Sequence, residues 1–319
     1  MSLGNLGSLI YNELTKIYIQ KSTWIMYIIL AVIILGSGIL IATGDDSTKS
    51  YSQDNWREEL HEENEILTKQ MEEGEFFQEF NTSLIDENNY YLENNIQPAG
   101  YGAWQFAMEH QFLLSIVSLL TIIVAGGIVA NEFRWGTIKI LLIRPISRSK
   151  ILLSKYIAVL LFALYTLLFV VVFSWIIGAL LFGIDGLNPY IVKLQGNDLA
   201  YVSVISEIIT GYGYKLVNLV MMATFAFMIS SIFRNSTFAI GASVFLMMAG
   251  NSIVLFFSDY TWAKYILFAN TDLSQYTNGN GPLMEGMTLT FSIVVLIVYF
   301  VVFLMASWGV FTKRDIAGQ

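Results

Sequence analysis

The chain contains no cysteine and two histidines, His61 and His110, in 319 residues. Disulfides, zinc ribbons, iron–sulfur clusters and thiol nucleophiles are therefore excluded, and little remains for metal binding or general-base chemistry. Charge is also scarce: 13% of positions are charged while 55% are hydrophobic, too apolar for an ordinary soluble enzyme. The opening MSLGNLGSLIYNELTKIYIQKSTW lacks the early basic run, apolar core and small-residue cleavage site of a secretory signal. The first apolar segment is therefore expected to stay in the membrane.

What the sequence has is long charge-free runs. A bilayer crossing needs about 20 apolar residues, and an unpaired charge at its centre costs roughly 2.5–3.5 kcal/mol. Six segments meet that condition: 24–42, 112–130, 156–182, 216–233, 236–257 and 287–312. The fourth and fifth are separated only by Arg234 and Asn235, and the spacing predicts a tight helical hairpin turning at Arg234. Six spans place both ends of the chain on one side. The loops on that side hold 11 of the 17 Lys and Arg residues, which makes it cytoplasmic. Trp24, Trp104, Trp135, Trp262 and Trp308 fall near span ends, as interface anchors do.

The first external loop, 43–105, carries 15 acidic and 3 basic residues, so the net charge of −8 belongs to this insertion. Trp56, Leu60, Leu67 and Met71, then Phe77, Phe80, Leu84 and Tyr91, recur at helical spacing on either side of Gly74. Two amphipathic helices folded as a hairpin are expected. Their charge reads more simply as a solvated face than as a lid or a docking surface for a cationic ligand. The second external loop, 183–215, is mixed in character. In the third, 258–286, the stripe Trp262, Tyr265, Ile266, Phe268 and Ala269 is too short to span, and a re-entrant segment and an interfacial helix both fit it.

The connection between the second and third spans, 131–150, is the most informative stretch. Thr137 is placed to cap a short helix, Ile138, Leu141 and Leu142 recur at helical spacing, Pro145 ends the pattern, and basic residues surround it. Such an element lies along the membrane surface. The stretch resembles the cytoplasmic coupling helix of ABC-2 type ABC transporter permeases: an acidic residue, Gly-Thr, a Leu-rich turn, Pro-x-Ser-Arg and a Lys entering the third span. Glu132, Gly136-Thr137, Leu141-Leu142, Pro145-Ile146-Ser147-Arg148 and Lys155 supply these in order. The N-terminal segment 1–23, with Leu6, Ile10, Leu14 and Ile17 on one face, is similar to that family's interfacial elbow helix. The acidic loop is longer than in the shortest family members.

The resemblance implies an all-α integral membrane protein with six transmembrane helices, an interfacial elbow, a cytoplasmic coupling helix and an external helical hairpin, ending in a cytoplasmic tail, 313–319. It implies an ATP-binding cassette subunit in two copies and a second permease, identical or related, all within membrane lipid. The chain has no G-x-x-x-x-G-K-[ST], so ATP and magnesium are expected on the partner. No cofactor, metal or nucleic acid is expected on this chain. Ile138, Leu141, Leu142 and Ile146 are the expected apolar contacts to the ATPase, with Glu132, Arg134 and Arg148 orienting the helix or pairing with the partner. Asn218, Met221, Met222, Met247, Met248 and Asn251 are candidates for the pathway wall, although bundle packing is the commoner role of such residues.

The resulting expectation is a permease in a bacterial plasma membrane, exporting a hydrophobic or amphipathic compound such as an antimicrobial peptide, a drug or a lipid-like molecule. A membrane sensor coupled to a cytoplasmic partner shares every feature except flux. An intramembrane hydrolase is disfavoured, because the spans lack paired ionisable groups and His61-Glu62-Glu63 has no second His four residues on.

Overall fold

The protein is described by a computed structural model covering residues 3–44, 54–73, 75–138, 146–184, 186–195, 198–277 and 281–313. Helix α1 (Leu3–Ile19) leads into α2 (Lys21–Thr43) through a single bend at Gln20, whose ψ of 129° breaks the helical run. Thr23 fixes that bend. Its hydroxyl donates to the Ile17 carbonyl at 2.5 Å and its amide to the Gln20 carbonyl, so the exposed groups of the break are satisfied locally.

Two amphipathic helices follow, α3 (Trp56–Glu73) and α4 (Glu75–Glu93), packed against each other. Trp56, Leu60, Leu67 and Tyr91 are buried, as their periodicity requires, while the side chains of Phe77 and Phe80 lie outside the described residues. The long apolar helices come next: α5 (Ala103–Arg134, with a tight turn at His110–Leu113), α6 (Arg148–Leu181), α7 (Val204–Phe233), α8 (Ser236–Phe256) and α9 (Leu289–Lys313). With α2 they make, among the described residues, six helices long and apolar enough to cross a membrane. Helix α7 is the centre of the bundle, touching α5, α8 and α9, while few residues of α2, α8 and α9 are buried.

Several helices extend beyond the charge-free windows. Helix α5 begins at Ala103 rather than 112: Glu109 stays exposed and accepts from the Tyr101 hydroxyl at 2.5 Å, and His110 bonds Ser37 and the Phe106 carbonyl. Helix α7 begins at Val204 rather than 216, with Glu207 paired to Lys193 at 2.5 Å. A charge that has a partner does not stop a helix. The turn between α7 and α8 is at Arg234, which takes the left-handed conformation (φ 55°), followed by Asn235 accepting from the Phe238 amide as an N-cap.

One element departs from an all-helical reading. Strands β1 (Tyr190–Gln195) and β2 (Asp198–Ser203) form an antiparallel hairpin within the expected loop 183–215. It carries the acidic helices: the Val192 amide donates to the Tyr91 hydroxyl at 2.8 Å, and Val192 joins Trp56, Leu60 and Tyr91 in one core. Burial pushes the Tyr91 phenol up to about 12, against the opposing effect of the Val192 hydrogen bond.

The segment before α9 is a chain of single turns, Ala263–Tyr265, Leu267–Asn270 and Leu273–Tyr276, packed on α7, α8 and α9. Asn270 is fully buried and organises it, donating to the Lys264 and Ile266 carbonyls and accepting from the Ser292 hydroxyl on α9. Gly250 makes room for this packing, because a Cβ there would lie 2.4 Å from the Phe268 ring. Protein therefore covers the irregular backbone on one side, which a re-entrant segment requires and an interfacial one permits.

Candidate functional site

Three elements meet where the apolar helices end. Glu13 comes from α1, Glu132 from the last turn of α5 and Lys155 from the second turn of α6. The Lys155 ammonium is completely buried between the two carboxylates, 2.8 Å from Glu13 Oε2 and 2.6 Å from Glu132 Oε1. Lys16, half exposed on the next turn of α1, closes the cluster at 2.7 Å from Glu13 and 3.0 Å from Glu132. The four charges balance. Burial of an ammonium is tolerable only when paired and hydrogen-bonded in this way.

The electrostatics of α1 follow from the same contacts. Burial pushes the Glu13 carboxyl up, but the Lys155 and Lys16 ammonium groups outweigh it and hold it below its ordinary value of 4.5. Burial pulls Lys16 down, and the two carboxylates outweigh that and hold it above 10.5. The Glu13 contribution to stability is thus complete above pH 4.5 and is lost as pH falls through its lowered value. The Lys16 contribution is complete below pH 10.5 and fades only at higher pH. Glu13→Gln is expected to lower the thermal midpoint in detergent by a constant amount between about pH 6 and about pH 9. The gap to wild type should begin to close below pH 4.5 and vanish once pH falls through the lowered Glu13 value, where the carboxyl becomes neutral. A gap that persists unchanged in acid would mean that the carboxylate charge is not what holds α1.

Immediately after Glu132 the chain leaves the helix. Gly136, with φ of 71°, ends it in a conformation that glycine alone adopts readily. The Thr137 hydroxyl donates back to the Glu132 carbonyl at 3.4 Å, while the amides of the following helix that it is expected to cap lie outside the described residues. Ile138, expected as an apolar contact, is buried. It is 2% exposed and sits in a core with Leu152, Tyr156 and Phe311, so it anchors the connection to α6 and α9.

Glu132 likewise pairs inward, to Lys155 and Lys16, and the Arg148 guanidinium donates to the Thr312 carbonyl at the end of α9. Arg134 and Trp135 are exposed, with the guanidinium 5.7 Å from the indole centre, and Ile146 is half-buried. Leu141, Leu142 and Pro145 lie outside the described residues.

Between α1, the start of α2, the end of α5 and the start of α8 lies a cavity of about 510 Å³. Glu13, Lys16, Thr23, Asn131 and Glu132 form its polar side, and Ile17, Met26, Ile123, Val124, Ile128 and Ile240 its apolar side. The close approach of α8 here depends on Gly126, where a Cβ would lie 2.7 Å from the Ile240 side chain and 3.2 Å from its amide nitrogen.

The residues expected along a pathway do not share one wall. Met221 lines an apolar groove of about 430 Å³ between α7 and α9, while Met222 is buried in the core that holds Ile138. Met247 is partly buried, Met248 and Asn251 are exposed on α8, and Asn218 is half-buried on α7. The buried cluster could not be anticipated from any single motif. Glu13 and Lys155 are 142 positions apart, and the only local cue is a charge inside an otherwise apolar stretch.

Comparison with known proteins fits the membrane reading without adding an activity. Uncharacterized protein YhcI of Bacillus subtilis (strain 168) is 42% identical over 315 residues, covering 97% of this chain and 99% of that protein. Uncharacterized membrane protein YdbK of the same organism is 35% identical over 203 residues, 63% of this chain and 78% of that protein. Residues 74–317 match the family described as Protein of unknown function (DUF2705), so the chain is a DUF2705 family member, a mostly helical membrane protein with six apolar helices.

Proposed function

We propose that the chain is the permease subunit of an ABC-2 type ABC transporter, exporting a hydrophobic or amphipathic compound on ATP hydrolysed by a separate subunit. Two ATP-binding subunits would dock beneath the 131–150 connection of two permeases, on the cytoplasmic face of a bacterial plasma membrane, with both chain ends on that side. α1 would be the interfacial elbow, and α3 and α4 the external hairpin.

The observation that carries this reading is the buried cluster. Glu132 and Lys155 lie on either side of the connection and are joined to each other and to α1 by bonds of 2.6–3.0 Å. A force applied to the connection would therefore move α1, α5 and α6 together instead of bending a loop. The resemblance of Gly136-Thr137 and Pro145-Ile146-Ser147-Arg148 to a coupling helix, and the absence of a phosphate-cradling loop from the sequence, support the same division of labour.

Replacing Leu141 and Leu142 together by Asp tests it. The variant should insert normally and lose capture of the ATPase from membranes by at least about tenfold, the expected effect of burying charge in an apolar contact. Retained stoichiometric capture would contradict the assignment.

A further inference from the structure

Helix α8 buries one face and leaves the opposite one uncovered. Ala239, Ser243, Gly250 and Val254 are its buried residues, and α5, α7 and the Leu267–Asn270 turn pack against it. The exposed side carries Gly241, Phe245, Met248, Ser252 and Leu255, with Met248 at 73% exposure. Their spacing of four, three, four and three residues is the heptad repeat of a helix-pairing seam, and α8 holds no charged residue that would oppose pairing. Lipid contact requires apolar residues but no such repeat. A Cβ at Gly241 meets nothing within 4 Å in the chain, so the seam also has a small residue where another helix can come close.

This side is also polar at one level. Asn251 and Ser252 are exposed, and neither side chain has a hydrogen-bond partner among the described residues. In the neighbouring helices polar groups turn inward: the Ser231 and Ser307 hydroxyls pair at 2.7 Å, those of Tyr156 and Thr224 at 2.8 Å, and Ser230 donates to the Gly126 carbonyl at 2.7 Å. Asn251 lies five residues before the end of α8, about 7–8 Å along the axis, which places its amide inside the hydrocarbon layer. Acyl chains offer neither donor nor acceptor, and an unsatisfied amide there is costly.

We propose that this face of α8 pairs with the same face of a second copy of the chain. Copies inserted with one topology run parallel, and a two-fold axis along the membrane normal brings their seams together. In a parallel pair each seam side chain enters a hole of four residues on the facing helix: its own counterpart, the residue before that counterpart, and the seam residues above and below. Ser252 thereby meets Asn251 of the second copy, and symmetry repeats the contact. A hydroxyl and an amide each donate and accept, so two identical chains satisfy the whole set, whereas an unlike helix would need a matched polar pair of its own. The pairing would make the second permease of the proposed transporter a copy of this chain, but the argument uses α8 alone and does not rest on transport.

The chain has no cysteine, so single-cysteine variants of the full chain in liposomes report the contact directly. Met248→Cys and Leu255→Cys are expected to form a disulfide-linked species of twice the chain's mass under mild oxidation. Val298→Cys, also exposed but on α9, should give about tenfold less, because its Cα is not brought within disulfide reach of its counterpart. Asn251→Leu should weaken association by about tenfold, read by single-molecule photobleaching over a range of protein densities, since both copies lose a hydrogen bond. The cysteine comparison keeps Asn251 and stands even where that variant folds poorly. Equal cross-linking at Met248, Leu255 and Val298, cross-linking only to a different membrane protein, or association unchanged by Asn251→Leu would overturn the proposal. Neither measurement contains an ATPase, so a failure here is distinct from a failure of the coupling role of the 131–150 connection.

Discussion

Lys155→Met is expected to destabilise the protein by about 3–5 kcal/mol, the effect of removing one partner from a buried ion pair and leaving the other charges unpaired. The side chain is fully buried, and both Glu13 and Glu132 are under 10% exposed, so water cannot replace the lost ammonium. Lys16 would remain as the only cation in the cluster, and it is half exposed. Lys16→Ala should accordingly be milder, within about 1 kcal/mol, as for an ion pair that solvent already screens. Removing the charges together separates electrostatics from packing. Lys155→Met combined with Glu13→Gln and Glu132→Gln should recover most of the loss, because the one charge left, Lys16, is half exposed and hydrated and no buried charge stays unpaired. Thermal unfolding in detergent reads all three. A triple variant no more stable than Lys155→Met alone would show that the volume of the lysine, not its charge, matters.

Gly178→Ala should produce the next largest effect, a destabilisation of about 1–3 kcal/mol from overpacking. A Cβ at Gly178 would lie 2.9 Å from the Ala103 Cα and 3.0 Å from the Phe106 Cβ, so the obstacle is largely backbone and cannot swing aside. This is the crossing where the first turns of α5 rest on α6, and the Ala103 amide is also held there by the Gly183 carbonyl. Small residues at such crossings allow helices to approach in a membrane. Gly213 on α7 is the matched control, since nothing lies within 4 Å of its added Cβ. Gly213→Ala should stay within about 1 kcal/mol of wild type. Equal midpoints for the two variants would remove the argument that α5 and α6 are locked by close approach.

The six apolar helices are legible in the sequence because hydrocarbon thickness demands long charge-free runs, and few other structures produce them. The turn at Arg234–Asn235 is legible for a related reason: one charge and one good cap fall where a single helix would be too long. Helix starts are less so. Ala103, Arg148 and Val204 each precede charges that the sequence presents as interruptions, and only the fold reveals that Lys155 and Glu207 have partners. The β-hairpin is harder still, because Lys193 and Asp198 blur a short alternating pattern whose stability comes from Tyr91, about a hundred residues earlier.

The candidate site divides in the same way. Gly136 and Glu132 stand out as motif members, but the inward role of Glu132 depends on residues far away in the chain. Ile138 has the spacing of a surface stripe and yet is buried, because α6 and α9 reach across to cover it. Periodicity identifies which residues share a face. It does not say what that face meets.

The most direct test of the central claim is affinity purification of the tagged chain in mild detergent, with quantitative mass spectrometry of what accompanies it and an ATPase assay on the eluate. The account predicts an ATP-binding subunit at one copy per permease chain and ATP hydrolysis in the purified complex. Recovery of the chain alone, without ATPase activity, would contradict the coupling role assigned to the 131–150 connection and would make a membrane sensor the better reading.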